Sequence, residues 1–386
     1  MFRVAIFVLI LVVAQSTSRA EVAAFAEDEI FRFNTVDEIW QDSAAPLPFG
    51  DHLQISAEYE TWPIPTLPVL QQDVSTLLEA SESATPGRRR SGGLPGMERA
   101  PFTARVHWMA PRPLVGRPGE LGINGEEFEL GYPVRIDEDG IWLAQVAVQR
   151  LALSTSVSLP DSGLAVPSQL WDIEAGMMHI RDLGAGKQAG GMLRIGSPSD
   201  EPFTALRDMT VTVLGFLTVP ARDQNEWSFS VFYSPTGQII FPIPGVAYVW
   251  RPNDRLQANL GVPFSIVYKP TDSLVFTANY MPLNNVQVLL RQSLGDIWSV
   301  YGGYRTVSET FLLAHRENAR ERTFLFDQRC LLGIQRELGR GWAIDLSAAY
   351  VFDRQFFQAV SFSGSRSDEL LIDPGVAATL QFSWKR

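Results

Sequence analysis

The strongest constraint on the fold is a two-residue period, and it is clearest in the closing segment GVAATLQFSWKR (375–386). Val376 and Leu380 fall on one face of an extended strand, whereas Thr379 and Gln381 fall on the other. The apolar face must be covered, because its exposure to water is unfavourable. It either packs on a soluble core or contacts lipid.

The same period recurs from residue 101 onward, with Gly, Pro, Asn and Asp between the runs. Examples are FTARVHW (102–108), WLAQVAV (142–148) and LQANLGVPFSIVY (256–268), the last taken as one strand. No apolar stripe with the 3.6-residue period of a helix interrupts these runs. The pattern predicts an all-β chain, a transmembrane antiparallel up-and-down β-barrel of about 12 strands, with about 10 or about 14 as alternatives.

Four consecutive runs end in an aromatic residue that is followed two places later by proline. Tyr and Trp favour the membrane–water interface, and proline opens a tight turn just beyond it. A soluble meander would explain the prolines but not the aromatic residues beside them. We therefore expect interfacial aromatic residues at both rims of the barrel. The candidates are Tyr233, Trp250, Tyr268, Tyr280 and, in the closing segment, Trp384.

The spacing of the last runs predicts which end of the barrel carries the long loops. The gaps at 308–322 and 354–374 are long, whereas those at 295–297 and 336–341 are short. Outer-membrane barrels have short periplasmic turns and longer outer loops, so the last strand is expected to end on the periplasmic side. The connections between strands earlier in the chain are all expected to be short. This predicts that the corresponding side of the barrel is low.

The N-terminal region indicates export. Residues 1–26 read as a signal peptide, because a basic start precedes the uncharged run VAIFVLILVVA (4–14) and small residues follow. The expected cleavage follows Ala26, and cleavage after Ala20 is the alternative.

Two further regions follow the signal peptide. Residues 27–100 read as a mostly disordered, flexible Pro/Gly-rich periplasmic segment. Residues 101–386 read as the barrel. The expected location is the outer membrane of a two-membrane bacterium.

Composition restricts the partners. The formal net charge of −11 argues against nucleic acid, because nucleic-acid binding requires a basic surface. Cys330 is the only cysteine, so no disulfide can form within the chain. The expected partners are outer-membrane lipid, the outer-membrane assembly machinery and small solutes.

Two motifs stand out in the later part of the chain. One is a proline-punctuated aromatic block with Gly245, Tyr248, Trp250, Pro252 and Asn253, and the other is a strand ending with Tyr350, Phe352 and Arg354. The segments that carry them resemble uncharacterised outer-membrane β-barrel families of two-membrane bacteria. The resemblance extends over about residues 125 to 386 and implies a porin-like membrane barrel, with no chemistry assigned.

If the apolar residues face lipid, their polar neighbours face the lumen. Opposite charges on neighbouring strands would either line an ion path or pair with one another and close the lumen. Pairing is favoured, because a buried charge is costly without a partner. The charged candidates are Arg291, Arg305, Asp327, Arg329 and Asp345, and uncharged positions on the same face are Gln257, Asn259, Thr277, Asn279, Thr379 and Gln381.

No residue pattern typical of catalysis or metal binding occurs in the sequence. The histidines are scattered without metal-ligand spacing, and G-x-S-x-G, Cys-x-x-Cys and phosphate-binding glycine motifs are absent. The carboxylate pair Glu126-Glu127 is assigned to a turn. We therefore expect no catalytic residue, no metal, no cofactor and no enzyme activity. The four histidines are His52, His107, His179 and His315.

These features together favour a narrow, porin-like channel for small solutes. A structural envelope barrel with a closed lumen is the first alternative. A soluble periplasmic β-sandwich or lipid-binding barrel is the second, and it would bury the same alternating faces inward.

Overall fold

The computed structural model describes residues 101–137, 140–234, 241–281, 285–316 and 318–384. The predicted signal peptide (1–26) and flexible segment (27–100) lie outside these ranges, and so does His52. Among the described residues, no helix is long and apolar enough to cross a membrane.

The described chain is almost entirely β-strand, as its two-residue period predicts. A short 3-10 helix, Leu206–Asp208, is the exception within these ranges. The strands are β1 (Phe102–Pro113), β2 (Glu120–Ile136), β3 (Gly140–Ser154), β4 (Gln169–Gly184), β5 (Lys187–Ser199), β6 (Thr210–Pro220), β7 (Glu226–Tyr233), β8 (Ile243–Asn253), β9 (Leu256–Gly261), β10 (Phe264–Thr271), β11 (Leu274–Met281), β12 (Asn285–Leu294), β13 (Trp298–Phe311), β14 (Arg322–Gly339), β15 (Trp342–Ala359), β16 (Ser367–Ile372) and β17 (Gly375–Trp384).

The strands close into a barrel. Each strand from β1 to β15 pairs antiparallel with the next, β15 pairs with β17, and β17 pairs with β1, as in Phe102 with Trp384. β16 pairs with the part of β15 beyond its contact with β17, as in Arg354 with Ile372. The barrel therefore has 16 strands with one strand outside the ring, and the prediction of about 12 strands is wrong.

Two strand boundaries explain much of that error. The segment LQANLGVPFSIVY is two strands, β9 and β10, separated at Val262 and Pro263. β2 was not recognised, because its acidic residues resemble a turn. Glu126 and Glu127 lie inside β2 instead, where alternate side chains point into a polar interior.

The closing strand shows how the two faces are used. Val376 and Leu380 are 58% and 47% exposed on the outside of the barrel, while Ala377 and Ser383 are 2% and 3% exposed on the inside. The other strands likewise place large apolar residues on the outside of the barrel, and these exposed residues include Trp108, Phe128, Val231 and Leu346. The apolar set therefore faces outward.

The two ends of the barrel differ in their connections. At the end where β17 terminates, short turns join the strands, as at 185–186, 254–255 and 340–341. We call this the short-turn end and the opposite one the loop end. The two long gaps predicted near the C-terminus both fall at the loop end, opposite the end of β17. Each loop is shorter than predicted, because β13 and β15 extend to Phe311 and Ala359 and β16 (Ser367–Ile372) lies within the second gap. The expectation that all earlier gaps are short is wrong, because loops at 155–168 and 200–209 also lie there.

Barrel height differs between two walls. The tall wall comprises β13, β14, β15, β17 and β1–β5, with β16 above β17, and β14 and β15 each have 18 residues. The low wall comprises β7–β12, where β9 has 6 residues and β10 and β11 have 8 each. The predicted low side is confirmed, and the tall wall continues past it at the loop end.

The outer face of the tall wall changes character along its height. Leu332 on β14 and Leu290 on β12 both pair with Gly302 on β13, so the two leucines lie in the same register row. Leu332 is 73% exposed on the outer face. Nearer the loop end the outer face becomes polar, and Arg150 Nη1 lies 3.4 Å from Glu126 Oε2. The tall wall therefore extends beyond the apolar band.

Candidate functional site

The interior of the barrel holds a charged cavity of about 100 Å³, which we call the charged chamber. Residues from β1–β5, β13, β14 and β17 line it, so it belongs to the tall wall. Its charged lining includes Arg105, Glu127, Glu129, Asp172, Arg305 and Glu309.

Strand register builds the first part of the chamber. Arg105 on β1 lies directly between Glu127 on β2 and Gln381 on β17. Its Nη1 donates to Glu127 Oε2 at 2.8 Å, and its Nε and Nη2 donate to Gln381 Oε1 at 2.9 and 2.8 Å. This row fixes the Arg105 side chain across the seam where the barrel closes.

An acidic side of the chamber spans β2 and β4. Glu127 and Glu129 are two places apart, as are Asp172 and Glu174, so each pair shares the inward face of its strand. Gln149 on β3 lies between Glu127 and Asp172 in the register. Four carboxylates are thereby gathered on one side of the chamber.

One of these carboxylates has an ion-pair partner on the next strand. Glu174 Oε2 lies 3.2 Å from Arg194 Nη1, and both side chains are buried. Arg194 also donates from Nη2 to Gln145 Oε1 at 3.1 Å. Asp172 differs, because its Oδ1 is buried without a hydrogen-bond partner among the described residues.

A basic side of the chamber lies on β13 and β14. Arg305 pairs directly with Arg329 in the register, which places like charges side by side. Arg329 is held by Asp327, with Nε to Oδ1 at 2.6 Å and Nη2 to Oδ2 at 2.8 Å. Arg305 Nε is buried and has no hydrogen-bond partner within the described ranges.

A direct contact joins opposite sides of the chamber. Gln149 on β3 donates from Nε2 to Glu309 Oε1 on β13 at 2.8 Å. β3 and β13 are far apart around the ring, so the interior is narrow at this level. The acidic and basic sides therefore face the same small space.

A second polar group lies nearer the short-turn end. Arg291 Nη1 donates to Gln335 Oε1 at 2.6 Å and to Ser299 Oγ at 2.9 Å. The Arg291 guanidinium also lies 4.8 Å from the Tyr301 ring, whose hydroxyl donates to Asp345 Oδ1 at 2.6 Å. Arg291 and Asp345 thus lie on either side of Tyr301 in one polar group.

The structure sorts the five charged candidates into two groups. Arg305, Asp327 and Arg329 are brought together beside the chamber, and Asp327 and Arg329 pair with each other. Arg291 and Asp345 belong to the second polar group, nearer the short-turn end. Seven further charged residues were missed, although the period of FTARVHW already places Arg105 opposite Val106 and Trp108. The missed residues are Arg105, Glu127, Glu129, Asp172, Glu174, Arg194 and Glu309.

An apolar layer lies on the inside of the tall wall, between the chamber and the loop end. Inward residues of several strands pack there into one core, which includes the almost fully buried Phe311 and Phe356. The other buried members include Met109, Ile123, Leu151, Leu325, Val351 and Ile372. This layer therefore separates the charged chamber from the loop end.

The hairpin of β13 and β14 reaches across the loop end. The Leu312 amide donates to the Pro198 carbonyl at 2.7 Å, and the Ala314 amide donates to Asp200 Oδ1 at 2.7 Å. Arg316 Nη1 lies 2.6 Å from Asp208 Oδ1, with the two side chains 2% and 0% exposed. We call these contacts the latch, because they tie the 312–321 loop to the 200–209 loop.

The five candidate interfacial aromatics lie near the two rims. Tyr233 and Tyr280 are close to the loop end of the low wall, and Trp250, Tyr268 and Trp384 are close to the short-turn end. By strand alternation they point outward, and Trp250 and Tyr280 are exposed.

Further aromatic residues surround Trp384 at the short-turn end. Its Nε1 donates to the Arg340 carbonyl at 3.1 Å. The Trp342 ring stacks on Phe382 at 4.7 Å and lies 5.8 Å from Phe102. The cluster covers the outside of the seam between β1, β17 and β15.

The three described histidines have separate surroundings. His107 lines the chamber, the His179 ring stacks on Trp142 at 4.1 Å, and His315 Nε2 lies 3.6 Å from Glu201 Oε1. Among the described residues, no group of three or more His, Cys, Asp or Glu is arranged to hold a metal ion.

Comparisons with known proteins give only weak similarities. No protein-family model matches the chain, and no curated protein matches it. The beta domain of the Bordetella autotransporter Brka is 12% identical, covers 73% of this chain and 98% of its own, and has a TM-score of 0.27. An outer membrane channel from Pseudomonas putida F1 is 8% identical, with 78% and 99% covered and a TM-score of 0.30.

A third similarity is of the same kind. The transport unit of the autotransporter AIDA-I from Escherichia coli is 9% identical, with 83% of this chain and 100% of its own covered and a TM-score of 0.21. These values are too low to support an argument, and the barrel is established by the strand pairing of the chain itself.

Proposed function

We propose that the protein is an outer-membrane β-barrel that forms a narrow, porin-like channel for small solutes. The observation that carries the proposal is the inverted distribution of polarity. A closed ring of strands presents apolar residues outward and a charged chamber inward. This is the distribution that a strand-built membrane channel requires.

The outer face supports insertion into lipid. Leu332, Val376 and Val106 are among many large apolar residues that are more than half exposed. Soluble monomers rarely expose contiguous apolar patches larger than a few hundred Å². A soluble β-sandwich would bury these faces between two sheets, and a lipid-binding barrel would turn them toward its cavity.

The inner face supports a narrow passage. Barrels of this strand number commonly enclose an aqueous channel, but here the contact between Gln149 and Glu309 crosses the interior. The chamber of about 100 Å³ and the apolar layer leave room for small solutes only. In this proposal the short-turn end lies in the periplasm and the loop end outside the cell.

The proposal includes no catalytic step. The charged residues select or guide solutes, and no residue attacks or protonates a substrate. The partners in this scheme are outer-membrane lipid, the assembly machinery that inserts the barrel, and the solutes that cross it.

Two measurements on one preparation test the proposal. The membrane-fraction protein, purified in detergent, should shift in gel mobility on boiling, as a closed barrel does. In planar bilayers it should conduct KCl, and Arg329→Ala and Arg291→Ala should change the current because both line the interior. Glu126→Gln is the control, since Glu126 lies on the outer face. Recovery in the soluble fraction without a mobility shift would reject the membrane barrel.

A structural barrel without transport is the second candidate. The latch and the apolar layer favour it, because both obstruct the loop end. This candidate predicts the mobility shift on boiling without any conductance. The same preparation therefore separates the two candidates.

A further inference from the structure

The charges of the chamber are unevenly distributed. The acidic side is formed by β2 and β4, and the basic side is formed by β13 and β14. Glu309 on β13 is the acidic exception, and Arg105 and Arg194 are arginines paired with carboxylates of the acidic side. We propose that the charged chamber binds a small zwitterionic solute, with its ammonium group on the acidic side and its anionic group at Arg305. This inference rests on the proposed function and names the solute class of the same site.

Some carboxylates of the acidic side have an ion-pair partner and others do not. Glu127 is paired with Arg105, and Glu174 is paired with Arg194. Within the described part of the chain, Asp172 and Glu129 have no ion pair. Asp172 Oδ1 is moreover buried without a hydrogen bond. The acidic side therefore retains negative charge that a ligand ammonium group can neutralise.

Glu309 adds to that negative charge from the facing strand. It accepts a hydrogen bond from the neutral amide of Gln149 at 2.8 Å, and no cation is paired with it among the described residues. A neutral donor leaves the carboxylate charge uncompensated. An ammonium group held between β3 and β13 would contact this carboxylate as well.

The basic side has one arginine in the opposite situation. Arg329 is occupied by Asp327 through two hydrogen bonds. Arg305 stands directly beside Arg329 and has a buried Nε without a partner among the described residues. Like charges directly opposite each other on paired strands are destabilising. A carboxylate bound at Arg305 would offset that repulsion and satisfy the donor.

A ligand with both charges explains both sides at once. An anion alone would leave Asp172 and Glu309 unbalanced, and a cation alone would leave Arg305 unbalanced. Buried charges require paired and hydrogen-bonded partners. The contact of Gln149 with Glu309 keeps the two sides close. A water needs only about 10–15 Å³ of such space, so a chamber of about 100 Å³ holds one small solute with water.

Equilibrium binding tests the inference without relying on transport. Radiolabelled β-alanine is dialysed against the purified barrel in detergent, with acetate and methylammonium as singly charged comparisons. We expect saturable binding of β-alanine that is about tenfold or more tighter than binding of either comparison. Arg305→Gln and Asp172→Asn should each weaken β-alanine binding about tenfold or more, because each removes one complementary charge.

Matched variants separate binding from folding. Arg305→Lys keeps the charge and should restore most of the β-alanine affinity, and Glu126→Gln on the outer face should leave it unchanged. Every variant is first checked for the mobility shift on boiling. Equal affinity for β-alanine, acetate and methylammonium would overturn the inference, and so would unchanged binding by both Arg305→Gln and Asp172→Asn.

The outcomes distinguish this inference from the proposed function. KCl conductance without β-alanine binding would refute the zwitterion site and leave the channel standing. Binding without conductance would refute the channel and leave a ligand site in a closed barrel. Loss of both would refute both.

Discussion

The tall wall and the low wall are built from the same kind of strand but carry different properties. The tall wall holds the charged chamber, the apolar layer and the latch. The inner face of the low wall carries residues such as Ser228, Asn259 and Thr277. Among the residues described there, its charges are confined to its short-turn end and to Arg291 on β12. The charged groups that the structure describes in the interior are therefore concentrated on one side of the ring.

The low wall is defined by its height instead. A strand needs about 9–11 residues to cross a bilayer at the usual tilt, whereas β9, β10 and β11 have 6, 8 and 8. In the proposed membrane location, lipid beside the low wall would thin to match these strands. The difference teaches that, under the proposed function, the tall wall would determine what the interior binds and the low wall would determine how the bilayer fits. Four experiments sharpen or break this comparison.

The largest effect is expected from unpairing a charge in the tall wall. Arg105→Ala leaves Glu127 buried without its cation, and such a change costs about 3–5 kcal/mol of unfolding free energy. Thr277→Ala on the low wall removes a buried hydroxyl that has no partner within the described ranges, so it should cost under about 1 kcal/mol. Urea unfolding of both variants in detergent measures the difference. Equal costs would contradict a charge-stabilised tall wall.

The latch gives the next effect. Arg316→Ala removes the closer cation of the buried Asp208 and leaves only Arg207, whose Nε lies 4.0 Å from Asp208 Oδ1. Closure of the 312–321 loop should therefore weaken by about 2–5 kcal/mol. The loop should then be cleaved faster by trypsin, and KCl conductance should rise because the loop end opens. The double variant Arg316→Ala, Asp208→Ala removes both charges and should be less destabilised than Arg316→Ala alone. If cleavage and current stay at the original level, the latch does not hold the loop end.

Charge placed on the outer face tests how far the tall wall projects from lipid. Leu332→Arg, within the apolar band, should cost about 2–4 kcal/mol of unfolding free energy. Glu126→Arg changes a site on the outer face that is already charged and lies beside Arg150, so it should cost about 1 kcal/mol or less. Unfolding from lipid vesicles measures both values. Similar costs at the two sites would place both in the same environment.

The smallest effect concerns bilayer thickness. Mismatch costs fractions of a kcal/mol per Å, so the barrel should unfold more easily from vesicles with long acyl chains than from those with short ones. The low wall is the part that fails to match the thicker bilayer. The temperature at which half the protein loses its folded gel mobility provides the measurement. Stability that is independent of chain length would argue against thinning at the low wall.

The alternation of side chains made most strands predictable from the sequence. β17, β1 and β15 were recognised because their outward residues are apolar and their inward ones polar. β2 was not recognised, because the charged residues Glu127 and Glu129 are more typical of a turn than of a strand. The polar interior that accommodates these two carboxylates becomes visible only when all the strands are arranged in the closed ring.

The candidate site was less predictable than the strands. Arg305, Asp327 and Arg329 were identified from neighbouring late strands, since their pairing is local. Arg105, Asp172 and Glu309 meet only because the barrel closes and its interior narrows. Contacts between strands far apart in the sequence, such as Gln149 with Glu309, leave no local signal.

The seam between β1 and β17 has a consequence for the order of events during biogenesis. It joins residues as far apart as Arg105 and Gln381, which are separated by 276 positions. Long-range pairing is intrinsically slow and leaves aggregation-prone intermediates exposed. Until this seam forms, every earlier intermediate has two free strand edges and an uncovered apolar surface. We therefore expect pairing of β1 with β17 to be a late and slow step of folding.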